Sequence, residues 1–120
     1  MPSSPFCAPL IAEARAWCVA CAPAEGVGVI VRTPVGLRVH PLRNVSADPR
    51  SGFEVDPLEW ARVEDQAVVF FHSHPNGAAG LSARDRAALP RSIEHWVFAE
   101  RLSRHRFVGG QWIEFTGKTK

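Results

Sequence analysis

The segment His72-Ser73-His74 sets two imidazoles on either side of one serine. In an extended chain alternate side chains share a side, so His72 and His74 project together while Ser73 faces away. Both rings can then meet one ion. Asp85 lies eleven positions after His74, beyond a glycine-bearing loop and in the first turn of the next helical segment. From there a carboxylate can fold back over the strand end as a third ligand. Two neutral imidazoles and one carboxylate suit Zn²⁺, and a set of three leaves the fourth tetrahedral position open to water. Zinc held in that way lowers the pKa of water from about 15.7 to about 7 and polarises a carbonyl. The chemistry this points to is hydrolysis of an acyl bond.

Each part of this constellation has a purely structural reading as well. Ser82 and Asp85 are spaced as a capping box, with aspartate in place of the usual Glu or Gln, and a carboxylate in a first helical turn is favoured by the helix dipole with or without metal. Two histidines flanking one residue are, alone, a weak signal. The combination carries more: a buried strand, His72-Ser73-His74-Pro75 at its exit, a glycine-bearing loop, then Ser82 and Asp85 opening a helix. His40, His95 and His105 have no such setting and read as ordinary residues. Cys18-Val19-Ala20-Cys21 has the C-x-x-C spacing of a zinc knuckle or redox pair but lacks a second pair, so small residues on a helix face is the reading taken.

The elements that must position these residues follow from periodicity. Pro5 to Ala22 carries Leu10, Ala14, Trp17, Cys18 and Cys21 as the stripe of an amphipathic helix, which Pro23 ends. Gly26 to Arg32 and Gly36 to Leu42, joined by Thr33-Pro34, predict a hairpin. Asn44 to Gly52 consists of turn formers and predicts an exposed loop, whereas Asp56-Pro57 opens a helix to about Glu64. Ala67 to Phe71 is continuously apolar, the mark of a strand covered on both faces, and runs directly into His72. A short helix from Ser82 stops at Pro90, and strands follow around His95 to Ala99, His105 to Val108 and Gln111 to Phe115. This order predicts one domain over residues 1–120, a mixed sheet flanked by helices.

The 120 residues, 46% of them apolar, suffice for one core. The longest apolar runs, near Val68 to Phe71 and Val27 to Val31, are far shorter than the roughly 20 residues of a membrane span. No secretory signal is visible, so a soluble cytoplasmic protein without a membrane partner is expected. The formal charge of +2 and the scattering of Arg84, Arg86, Arg91, Arg101, Arg104 and Arg106 give no footprint for nucleic acid. Three cysteines, an odd number, predict reduced thiols.

The residues also match a known pattern. His72-Ser73-His74, seven residues, then Ser82-Ala83-Arg84-Asp85 resembles the JAMM (MPN-plus) signature of His-Ser/Thr-His, seven residues, Ser-x-x-Asp, preceded by an upstream glutamate. The resemblance implies a cytidine-deaminase-like α/β/α fold with a curved mixed sheet, and a metalloprotease binding one Zn²⁺ through His72, His74 and Asp85. By the same resemblance Ser82 hydrogen-bonds the water or the developing oxyanion, and Glu25, in Glu25-Gly26-Val27-Gly28, is the general base. Val27 stands where the family often has cysteine. Composition alone does not select Glu25, since Glu54 and Asp56 also lie near plausible loops. The family's substrates are bonds after the C-terminal Gly-Gly of ubiquitin-like, β-grasp proteins, here expected to be of the sulfur-carrier type. The Asn44 to Phe53 segment is the expected seat of that tail, added as a strand. A phage tail-assembly or peptidoglycan peptidase and a non-catalytic MPN scaffold are the alternatives.

Overall fold

The computed structural model describes residues 4–116. Helix α1 (Ala8–Cys21) leads into the hairpin β1 (Val27–Thr33) and β2 (Gly36–Leu42); α2 (Pro57–Val63), β3 (Ala67–Ser73) and α3 (Ala83–Ala88) follow, then β4 (Glu94–Phe98), β5 (Leu102–Val108) and β6 (Gln111–Phe115). The element order is the one predicted. The differences are local: α1 starts three residues after Pro5, because Cys7 is its extended N-cap, and β5 starts at Leu102, three residues before the expected point. Asp56 caps α2 by accepting the Leu58 N–H at 2.8 Å, with Pro57 at the first helical position.

The six strands form one sheet in the order β2-β1-β3-β4-β5-β6. β3 and β4 are parallel, with Phe70 opposite His95 and His72 opposite Val97, and every other pair is antiparallel. A parallel pair cannot be closed by a tight turn, so the chain leaves β3, forms the loop and α3, and returns to β4. That crossover carries Asp85 above the end of β3.

Period-two alternation divides the core between the two faces of the sheet. On one face α1 contributes Leu10, Ile11, Ala14 and Cys18 against Ile30, Val69, Phe71, Trp96 and Phe98. On the other, Val27, Val29, Phe70 and Val97 pack with Val63 at the end of α2 and with Leu81 and Leu89, which flank α3. The result is the α/β/α sandwich expected, with each fully buried large apolar side chain contributing about 1.5–3 kcal/mol. Cys18 belongs to this core, and burial pushes its thiol up to about 12. All three cysteines are free. Among the described residues no helix is long and apolar enough to cross a membrane.

Gly28 faces α1's side of the sheet directly beside Phe71, its register partner on β3. A Cβ there would stand 2.5 Å from Phe71 Cζ and 3.1 Å from the His40 carbonyl oxygen. Phe71 is fully buried, so its ring has no free space to enter. Gly28→Ala should therefore lower stability by about 1–3 kcal/mol, read from the denaturant midpoint of the variant against the parent chain. An unchanged midpoint would mean that the ring is not held where the packing places it.

Candidate metal centre

β3 delivers the two imidazoles. It runs through His72 to Ser73, so His72 lies within the strand, and His74 lies one residue beyond it. His72 is fully buried with its ring against Phe53, whereas His74 is partly exposed at the mouth of a cavity. Ser73 points to the opposite face, as alternation requires. There its Oγ accepts the Gly26 N–H at 2.8 Å, and its own N–H donates to the Gly26 carbonyl at 3.0 Å. The serine between the histidines thus ties down the turn that carries Glu25.

Glu25 is held from its other side by Asn44. The Glu25 N–H donates to the Pro49 carbonyl at 2.7 Å, and the Glu25 carbonyl accepts from Asn44 Nδ2 at 3.0 Å. The same amide nitrogen lies 3.0 Å from the Gly52 carbonyl, while Asn44 Oδ1 accepts the Ser46 and Glu54 N–H groups. In the sequence alone Asn44 reads only as a turn former. Its role was invisible there because its partners are backbone groups brought close by the tertiary fold.

Asp85 arrives on α3. The capping box is fully formed: Ser82 Oγ accepts the Asp85 N–H at 3.0 Å, and Asp85 Oδ2 accepts the Ser82 N–H at 2.9 Å. The structural reading of Asp85 is therefore realised, and Oδ2 also lies 3.1 Å from His72 Nε2 and 3.2 Å from His74 Nε2. Those two ring nitrogens are 2.9 Å apart. Accepting at Oγ leaves the Ser82 hydroxyl proton free to donate, and Ser82 lines the cavity beside Glu25 and His74.

The donor set fits zinc. Tetrahedral coordination at the usual zinc–nitrogen distance puts ligand atoms roughly 3.3 Å apart, and the three edges of this triangle are 2.9, 3.1 and 3.2 Å. The second nitrogen of His74 donates to the Ala78 carbonyl at 2.7 Å, and that of His72 lies 2.7 Å from His95 Nε2. Such outer partners fix which nitrogen of a ligating histidine faces the ion. A carboxylate oxygen of Glu25 comes within 4.8 Å of one nitrogen of each of His72 and His74, so these three also form a group able to hold a cation. Asp85 is in direct contact with both rings, whereas Glu25 lies further from them.

Burial and charge set the protonation of these groups. Burial raises Glu25 to about 7; Asp85 adds to that rise, while His74 and Arg84 oppose it. Asp85 is pushed up by burial, yet the hydrogen bonds from His72 and His74 outweigh this and hold its carboxyl well below the usual range. The bond to Asp85 raises His74, whereas burial lowers His72 and keeps that ring neutral. His95, taken from sequence as ordinary, is fully buried and kept neutral in the same way. His40 is exposed, and His105 lies 2.8 Å from Ser103 Oγ.

Residues 7–108 match the family described as prokaryotic homologs of the JAB domain. The chain belongs to that family. Its enzyme class is that of a JAMM-type hydrolase. It is 31% identical over 120 residues to the desampylase of Haloferax volcanii, with 89% of this chain and 86% of that protein covered. It is 36% identical over 83 residues to a probable TtuB-protein conjugate cleaving protease of Thermus thermophilus, and 33% identical over 76 residues to tail tip assembly protein K of Escherichia phage N15. Those alignments cover 63% and 62% of this chain but only 56% and 31% of the respective relatives. The solution structure of protein DSY2949 from Desulfitobacterium hafniense has the same fold, with a TM-score of 0.75 at 23% identity over 95% of this chain and 90% of that one.

Without metal, the JAB site should make stability fall as pH rises towards and through neutrality. A neutral Glu25 is favoured by the fold, a contribution fully present below 4.5 and lost as pH rises through about 7. The raised His74 works in the same sense, its contribution complete below 6.5 and lost above that. Asp85 acts oppositely, stabilising above 3.8 and losing its contribution only in acid. In chelator, the denaturation midpoint should decline as pH rises from about 4.5 through about 7, and Glu25→Gln should flatten the decline. A variant with an undiminished slope would show that Glu25 does not titrate there.

Proposed function

We propose that this JAB-family chain is a zinc-dependent isopeptidase, one ion per molecule, that hydrolyses the amide or isopeptide bond after the C-terminal Gly-Gly of ubiquitin-like β-grasp proteins of the sulfur-carrier type, or of their conjugates. The observation that carries this reading is the meeting of His72 Nε2, His74 Nε2 and Asp85 Oδ2 within 3.2 Å of one another, at an apolar groove that also holds Glu25 and Ser82. The names of the Haloferax and Thermus relatives support the substrate class. We read residues 1–120 as one such domain acting in the cytoplasm, in keeping with three unpaired cysteines.

His72, His74 and Asp85 would hold the ion, which supplies Lewis acidity that makes water nucleophilic at neutral pH and polarises the scissile carbonyl. Glu25 takes the proton of the attacking water and returns it to the departing amine. A carboxyl titrating at about 7 suits both halves of that task, since its base and acid forms are both populated near neutral pH. Ser82 donates its hydroxyl proton to the carbonyl oxygen as negative charge develops there. The cavity, of about 860 Å³, is walled by Phe53, Val55 and Trp60 on one side and by Ser82 and Leu89 near α3 on the other. An extended tail laid beside Gly52 to Val55 would meet backbone there, and the glycines of the tail would pass where larger side chains collide.

The phage relative supports a second reading, in which the same centre cuts a tail-protein or cell-wall peptide. Substrate tests separate the two. The zinc-loaded chain, incubated with β-grasp carriers joined to lysine or to a partner protein, should release the carrier with an intact Gly-Gly end, and chelator should stop the reaction. Glu25→Gln should retain zinc and lose about 100-fold or more in kcat, whereas His74→Ala should lose zinc. Cleavage confined to cell-wall or tail peptides would replace the carrier reading with the second one.

A further inference from the structure

His95 makes a contact that the proposed reaction does not use. It sits on β4 with none of its surface exposed, stacked on Phe70 with ring centroids 5.2 Å apart. Its Nε2 faces His72 Nδ1 at 2.7 Å, and its Nδ1 is buried without any hydrogen-bond partner. The parallel register of β3 and β4, which pairs Phe70 with His95 and His72 with Val97, sets this diagonal meeting of the rings. Zinc-binding histidines usually give their second N–H to a carboxylate, a backbone carbonyl or water. His74 follows that rule through the Ala78 carbonyl. His72 is met instead by a second imidazole.

Two ring nitrogens at 2.7 Å need one proton between them: two protons would collide, and two lone pairs would repel. The position of that proton decides what His72 can do. Whenever Nδ1 of a neutral His72 carries it, Nε2 bears a lone pair towards His74 and Asp85. When His95 Nε2 carries it, the proton of His72 sits on Nε2 and donates to Asp85 Oδ2, 3.1 Å away, so that nitrogen is closed to an ion. We propose that His95 is the positioning residue that makes His72 a metal ligand, its Nε2 accepting a hydrogen bond from the His72 Nδ1–H in the loaded protein.

The protons balance. On loading, the shared proton moves from His95 Nε2 to His72 Nδ1, one proton leaves His72 Nε2, and one is taken up at His95 Nδ1, with no net change on the pair. The orphaned Nδ1 gives the exchange a direction. A bare ring nitrogen tolerates a dry apolar pocket better than an unsatisfied N–H does, so the metal-free protein favours the closed arrangement and metal must work against it. A carboxylate at position 95 would be a stronger acceptor but would place an unpaired charge against Phe70. A neutral acceptor is what this pocket admits.

This inference rests on the reading of His72 as a ligand, and its test separates the two. In the wild-type chain with ¹⁵N-labelled histidine, long-range ¹H–¹⁵N correlation spectra should show the His95 proton on Nε2 without metal and on Nδ1 with zinc, while His72 gains its proton on Nδ1. Zinc affinity is then measured by competition with a chromophoric chelator. His95→Leu, which removes the acceptor, should weaken zinc binding about 10–100-fold. His95→Gln, whose side-chain carbonyl can accept the same N–H, should stay within about threefold of wild type. Metal-free melting curves of both variants distinguish lost affinity from lost folding, and the wild-type spectra stand whether or not a variant folds. Zinc-loaded His95 still protonated at Nε2, or His95→Leu binding zinc as wild type does, would overturn the role of His95. His72→Ala binding zinc normally would instead overturn the ligand reading beneath it.

Discussion

One carboxylate oxygen organises the site. Asp85 Oδ2 receives the Ser82 N–H and lies within 3.2 Å of the Nε2 atoms of His72 and His74, so a single atom joins the first turn of α3 to the end of β3. Burial works against a charged carboxylate, and the donors more than offset it, which is why Asp85 stays ionised. The helix start, the strand end and the triangle of donor atoms are one unit. Other parts of the fold place those two ends opposite each other.

The parallel pairing of β3 and β4 is the topological condition for this. It forces a crossover, and the crossover must return over one face of the sheet with α3 as its main element. The same pairing places His95 beside His72. On the opposite face Ser73 is bound to Gly26 through two hydrogen bonds, so the turn bearing Glu25 is anchored to the strand that bears His72. Asn44 closes the arrangement from the loop side. Glu25 and the cluster of His72, His74 and Asp85 come from distant parts of the chain, yet one residue on β3, Ser73, and one side-chain amide fix their relation.

Environment, rather than residue type, sets the opposite protonation tendencies of the two acids. Glu25 is buried with few partners and is raised towards neutrality; Asp85 is buried with several donors and remains an anion. A carboxyl that exchanges a proton and one that holds a cation need opposite protonation behaviour at the same pH. The difference in hydrogen bonding supplies it.

Much of this was present in the chain itself. The continuous apolar run Ala67 to Phe71 ending in His72-Ser73-His74 dictates a buried strand with two rings on one side, because alternation is a local property of extended backbone. Ser82 and Asp85 at helix-cap spacing dictate where α3 begins, for the same local reason. The resemblance of those residues to the JAMM signature picked out Glu25, which composition could not. What only the tertiary structure decided are the contacts between segments far apart in sequence: the register that brings His95 to His72, the bond from Ser73 to Gly26, and the convergence of Asn44 on the Glu25 and Gly52 carbonyls. A lone histidine on an apolar strand and an asparagine in a turn-rich loop carry no periodicity that announces a partner. Their partners exist only after strands pair and loops close, so the sequence could offer His72, His74 and Asp85 as candidate ligands but not the groups that hold them in place.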